Sequence, residues 1–219
     1  MMTLSMPKLD QIVAVVLLPL LVFAIFWQSS ADLAAVWALW DQAYSHGFLV
    51  VGVAGYMLWE ALPERRAQIS FWPLLGGGVA LLGIAAWVFL ARAEVESAAQ
   101  LAMLFVIAGL FLAYTHIKPD WTLLFPLGLV AMAIPIWDQL VDPLRMLAAV
   151  VVQNLLDSIS IPAILDEYVI EIAYGTFVIA GGCSGLAFLL TSLSLGGIYS
   201  YFWQMLTTNR LARKDNCQK

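Results

Sequence analysis

Apolar residues in this chain gather into long runs instead of alternating with polar ones. Six runs reach helical length, near residues 11–27, 46–62, 72–91, 98–116, 121–137 and 184–203. About 20 apolar residues in a helix cross a bilayer core, so each run predicts one membrane span. The first run is not read as a cleavable leader, because more spans follow it and no small-residue cleavage site stands out after Trp27. Pro19 inside it is tolerable, since neighbouring helices or water re-satisfy the carbonyl it frees.

Two sizeable connections separate the runs. Residues 28–45 carry Trp37 and Trp40, which read as interface anchors. Residues 138–182 are more informative. From Pro143 to Asp157, apolar and polar residues mix at helical spacing, with Pro143 just after Asp142 as a start signal. That predicts an amphipathic helix, lying on the outer membrane surface or packed across the mouth of the bundle. From Glu167 to Ala180, β-branched and aromatic residues dominate and Gly175 breaks the run, which is the pattern of a hairpin. Outside the membrane its edges can bond to water. The expected fold is thus all-α and polytopic, a single transmembrane domain over residues 1–219. It has about six spans, an outer amphipathic helix, a small β-hairpin before the last span, and a tail at 204–219.

Composition supports lipid as the solvent. Of 219 residues, 63% are hydrophobic and 11% charged, against about 45–50% and about 25% in soluble domains. Neither a soluble globule nor a disordered chain fits. A net charge of -5 argues against a nucleic-acid partner, which selects basic patches. With the N-terminus inside, all but Arg92 and Arg145 of the 10 Lys and Arg fall on the cytoplasmic side: Lys8, Arg65, Arg66, Lys118, Arg210, Arg213, Lys214 and Lys219. That asymmetry puts both termini in the cytoplasm. It also puts the two cysteines, Cys183 and Cys217, on opposite sides, too far apart for the approach within about 7 Å that a disulfide needs.

Gly181-Gly-Cys-Ser-Gly-Leu186 is the most unusual stretch. It places Cys183 where the hairpin meets the last helix, on the outer side. A thiol at a helix start feels the positive end of the helix dipole, which favours the thiolate. The Gly-x-Cys-x-Gly spacing also resembles a nucleophile elbow with cysteine for serine. From spacing alone, a small residue in a glycine-rich turn is an equal reading. In Tyr44-Ser-His-Gly-Phe-Leu-Val50, His46 opens the second helix on the same side. It is a candidate base for the thiol, or a cap at headgroup level. Ser184, Gly185 and Arg145 are the candidates for contacting a substrate. Arg145 with Asp138, Asp142 and Asp157 also reads as an ordinary solvated face. His116 falls at the cytoplasmic end of the fourth helix. No metal-ligand or phosphate-loop pattern is present, so neither metal nor cofactor is expected.

Three blocks together resemble the exosortase/archaeosortase family of membrane-embedded cysteine transpeptidases. They are Tyr44-Ser-His-Gly-Phe-Leu-Val50, Ile134-Pro-Ile-Trp-Asp-Gln-Leu-Val-Asp-Pro-Leu144 and Phe177-Val-Ile-Ala-Gly-Gly-Cys-Ser-Gly-Leu186. The resemblance continues to Phe202 and covers about residues 35–205. It implies a nucleophilic Cys183 at the outer face of the bacterial cytoplasmic membrane. The implied partners are secreted proteins with a C-terminal sorting signal: a Pro-Glu-Pro-type motif, a transmembrane helix and a basic tail. Attack near the motif gives a thioester. Family members also carry an arginine and a histidine on two further helices. Here Asn209-Arg210 lies in the tail on the wrong side, and Ala187 stands where many members have a polar residue. The chain is therefore expected to be a C-terminally truncated member with impaired chemistry, because losing one charge-stabilising donor costs about 10²–10³ in rate. The rival is a non-catalytic scaffold or substrate-binding subunit of the same fold working with a partner subunit. A small transporter comes last, since the spans carry almost no charge beyond their ends.

Overall fold

The computed structural model describes residues 8–39, 43–62, 71–116, 118, 120–173 and 175–217, with side chains for all of these except 8, 122 and 208–217. Trp40, Arg65, Arg66 and Lys219 lie outside the described residues, as do the side chains of Lys8, Arg210, Arg213, Lys214 and Cys217.

The first apolar run folds as α1 (Lys8–Ile12), a π-helical turn (Val13–Leu17) and α2 (Leu18–Ile25). The π turn ends where the Leu18 N–H donates to the Val13 carbonyl. Pro19, which has no N–H to give, follows at once, so the widened turn falls where a regular ladder would break. At Phe26 the chain bends by 105° into α3 (Trp27–Ala38). Most of the connection expected at 28–45 is therefore helix. Its Trp37 is buried in the core, not anchored at an interface.

Four apolar helices follow: α4 (Gly47–Ala61), α5 (Trp72–Arg92), α6 (Glu96–Thr115) and α7 (Trp121–Met132). α5 and α6 form the closest-packed pair. A Cβ on Gly76 would stand 2.6 Å from the Ala113 nitrogen, and one on Gly109 would stand 2.5 Å from the Ala80 nitrogen. Small residues let the two backbones touch, which is how helices associate where lipid removes the hydrophobic drive.

α7 stops at Met132. After a 3-10 turn (Pro135–Leu140), α8 (Val141–Ser158) continues at 58° to it. α8 is the predicted amphipathic helix, and it rests on a sheet. The predicted hairpin is β2 (Val169–Ile172) with β3 (Gly175–Val178), and one further strand, β1 (Ala163–Asp166), joins it to make a three-stranded sheet, antiparallel in chain order. Ala163, Leu165, Ile170 and Ile172 pair across β1 and β2 and pack on Ala149 and Leu156 of α8. The opposite side of α8 leaves Leu147, Val151 and Leu155 exposed.

A second 3-10 turn (Gly181–Ser184) leads into α9 (Leu186–Cys217). α9 extends well into the stretch expected to be a polar tail. Among the described residues, α5, α6 and the Leu186–Thr207 part of α9 are each long and apolar enough to cross a membrane alone. Taking the bent pairs α1–α3 and α7–α8 as one span each raises the number to five, and α4 is a shorter apolar helix. All six predicted runs fall on helices, and the bends and the short α4 set how many cross.

Candidate functional site

One core cluster joins the three sequence blocks. Trp37, Tyr44 and Val50 from the first half of the chain pack with Ala133 from the end of α7 and with Leu186 and Leu190 from the start of α9. The ends of α4, α7 and α9 that carry the blocks therefore meet at one end of the bundle.

The polar part of this knot solves a problem that α7 creates. The last carbonyls of a helix have no partner within it. Trp37 Nε1 donates to the Ala133 carbonyl at 2.8 Å, and Trp137 Nε1 donates to the Ala131 carbonyl at 3.1 Å. Gly47 lies flat against the Trp37 ring, where a Cβ would collide with it. Tyr44 is buried, donates its hydroxyl to Asp138 Oδ1 at 2.9 Å and accepts from the Trp137 backbone N–H. Burial first, and then the Asp138 carboxylate, push its phenol pKa well above the usual value, so Tyr44 stays a donor. Asp138 thus belongs to a structural pair, not to a merely solvated face.

His46 is the N-cap residue of α4 and makes no side-chain cap bond. Its ring bonds to the backbone of Ala43, and Nε2 is buried with no partner. It is not bonded to Cys183. α4 and α9 share the core cluster, and a ring contact between them, Tyr56 on Phe202 at 6.2 Å, lies farther along both helices. His116 is exposed in the left-handed conformation that ends α6.

Cys183 is free and exposed. It sits in its own turn, closed by its N–H donating to the Ala180 carbonyl at 2.9 Å. Gly185, with φ of 71°, then reverses the backbone into α9; glycine adopts this left-handed conformation without steric cost. Ser184 Oγ accepts from the Leu186 N–H at 3.3 Å and satisfies one of the free donors at the helix start. The thiol is expected at the start of a helix that opens near residue 184; α9 begins two residues later, at Leu186. The order strand, turn, helix matches a nucleophile elbow. The positive φ that strains such an elbow falls on Gly185 rather than on the cysteine.

Arg145 stands on α8 and is mostly buried. Its Nε and Nη2 donate to the Ile179 carbonyl at 3.0 and 2.7 Å. The guanidinium lies 3.9 Å over the centre of the Tyr168 ring, and Nη1 reaches Asp142 Oδ1 at 3.5 Å. The face expected to be solvated is thus closed at Arg145 and open at Asp142 and Asp157. Sequence reasoning missed Tyr168 and Ile179, because backbone acceptors and ring supports carry no residue signature. Among the described residues, no three His, Cys, Asp or Glu side chains gather as metal ligands.

A family model described as transmembrane exosortase matches residues 36–213, a range that takes in all three blocks. No curated protein and no solved structure matches the chain.

Proposed function

Because the chain belongs to the transmembrane exosortase family, we propose that it is a membrane-embedded cysteine transpeptidase or peptidase whose nucleophile is Cys183. One observation carries this reading: the exposed thiol stands in a turn held at both ends, at Ile179 by Arg145 and at Leu186 by the bundle core. The Cys183 thiolate attacks the carbonyl carbon of a peptide bond. The C–N bond breaks, the amine leaves with a proton, and the acyl group stays on Sγ as a thioester. A second nucleophile then releases it, either an amine (transpeptidation) or water (hydrolysis).

The substrates fitting this reading are secreted proteins whose C-terminal sorting signal carries a Pro-Glu-Pro-type motif, a transmembrane helix and a basic tail. In this reading the site faces the outer side of the bacterial cytoplasmic membrane and both termini are cytoplasmic, an orientation supported by the distribution of Lys and Arg. Ser184 and Gly185 border the nucleophile and in this reading meet the substrate backbone. A second reading, a non-catalytic scaffold or substrate-binding subunit of the same fold, is favoured by the lack of contact between His46 Nε2 and the thiol.

The test is a secreted reporter bearing such a signal, expressed with this chain. Processing with wild type, its collapse in Cys183→Ser, and a mass-detected thioester on Cys183 are the expected results. Equal processing by wild type and Cys183→Ser would remove the nucleophile and leave the scaffold reading.

A further inference from the structure

Between β3 and α9 the thiol hangs on a short loop with two anchors. The downstream anchor is apolar: Leu186 is buried in the bundle core beside Trp37 and Tyr44. The upstream anchor is the peptide of Ile179. Its N–H donates to the Tyr168 carbonyl at 2.8 Å, and its carbonyl takes both Arg145 donors. The next residue, Ala180, is extended, and its carbonyl closes the turn on the Cys183 N–H. Every bond from Arg145 to the thiol is therefore accounted for along four residues of backbone. Nothing else polar in the described structure holds that carbonyl.

We propose that Arg145 is a positioning residue for Cys183: by gripping the Ile179 carbonyl from α8, it sets where the thiol-bearing turn stands. The proposal rests on Cys183 being the nucleophile. The geometry asks for arginine. Two N–H groups converge on one oxygen, the flat face stacks on Tyr168, and the third nitrogen is steadied by Asp142. Lysine has a single compact ammonium and no planar face, so it can offer one of these contacts but not the set. Tyr168 serves both halves of the clamp, its carbonyl holding the Ile179 N–H and its ring carrying the guanidinium. The sheet-bearing helix α8 and the nucleophile are in this way one mechanical unit.

The experiment uses the full chain in lipid nanodiscs with Cys217→Ser, so that a nitroxide label attaches at Cys183 alone. Spin-label line shape and thermal unfolding are read for the parent, Arg145→Ala and Arg145→Lys. Unlabelled counterparts are tested for processing of the sorting-signal reporter and for alkylation by a small maleimide. Both Arg145 variants are expected to lose the slow component of the label spectrum, with a fall in the unfolding midpoint no larger than that of Tyr44→Phe, which removes a different buried hydrogen bond. Their processing should fall about 10²-fold, the cost of a misplacement near 1 Å, while maleimide still reacts with the exposed thiol.

An unchanged line shape in both variants overturns the proposal. So does a mobile label accompanied by a drop in the unfolding midpoint well beyond that of Tyr44→Phe, which would make Arg145 a general fold residue. A parental spectrum in Arg145→Lys alone overturns the two-donor clamp, and that variant keeps the test decisive should Arg145→Ala fail to fold. Failure of the nucleophile reading is seen separately, as unchanged processing in Cys183→Ser with the line shapes as expected.

Discussion

Gly76, Gly77 and Gly78 are three identical residues in a row on α5, and the structure assigns them opposite sensitivities. A Cβ on Gly76 would stand 2.6 Å from the Ala113 nitrogen, 2.7 Å from the Gly109 oxygen and 3.0 Å from the Leu112 carbonyl carbon, all backbone atoms. Carbon contacts are comfortable at about 3.5–4.0 Å, so Gly76→Ala must push α5 and α6 apart by roughly 1 Å, and no flexible side chain can yield instead. Overpacking of this kind costs about 1–3 kcal/mol. At Gly77 and Gly78 an added Cβ meets nothing within 4 Å. There the exchange changes only helix propensity, which favours alanine by up to about 1 kcal/mol. The propensity gain is common to both kinds of position, so they should differ by the overpacking cost alone, about 1–3 kcal/mol in unfolding free energy. The assay is unfolding in mixed micelles of mild detergent and increasing SDS, followed by far-UV circular dichroism. If Gly76→Ala and Gly77→Ala unfold at the same SDS fraction, the close contact between α5 and α6 is wrong.

Other consequences are as direct. Tyr44→Phe removes a buried donor to a carboxylate and leaves the Trp137 N–H without its acceptor, so it should cost about 1–3 kcal/mol in the same unfolding assay. The raised pKa of Tyr44 gives a sign as well: its stabilisation is fully present below the unfolded phenol value of about 10 and is lost as pH rises above it. Tyr44→Phe should therefore flatten the alkaline fall in stability, and an unaltered profile would show that Tyr44 is not protected. In intact cells, a membrane-impermeant maleimide should label Cys183 and spare Cys217; labelling of Cys217 from outside would reverse the orientation inferred from Lys and Arg.

Helices were legible in the sequence because a membrane span needs only local information. Apolar length decides it, and all six runs fall on helices. The Gly-Gly-Cys-Ser-Gly turn was legible for a similar reason: glycines permit the backbone reversal at Gly185 wherever the rest of the chain goes. α3 and β1 were not legible. α3 carries Ser29, Ser30 and Asp32 among its apolar residues, and its burial depends on partners from elsewhere. Ser29 accepts from Trp87 on α5, for example, at 3.1 Å.

What only the tertiary structure decided lies at the contacts between distant parts of the chain. Trp37 caps a carbonyl 96 residues away, and Arg145 grips one 34 residues away. A backbone carbonyl looks the same in every residue, so no pattern of side chains announces which tryptophan or arginine will find it. The same holds for the three consecutive glycines of α5, Gly76, Gly77 and Gly78, identical as letters and separated only by which one faces α6. Sequence thus determined where the long apolar helices lie and where a glycine-rich turn carries Cys183. Packing determined which residues brace that turn, because a hydrogen bond or a backbone contact exists only once two segments have met.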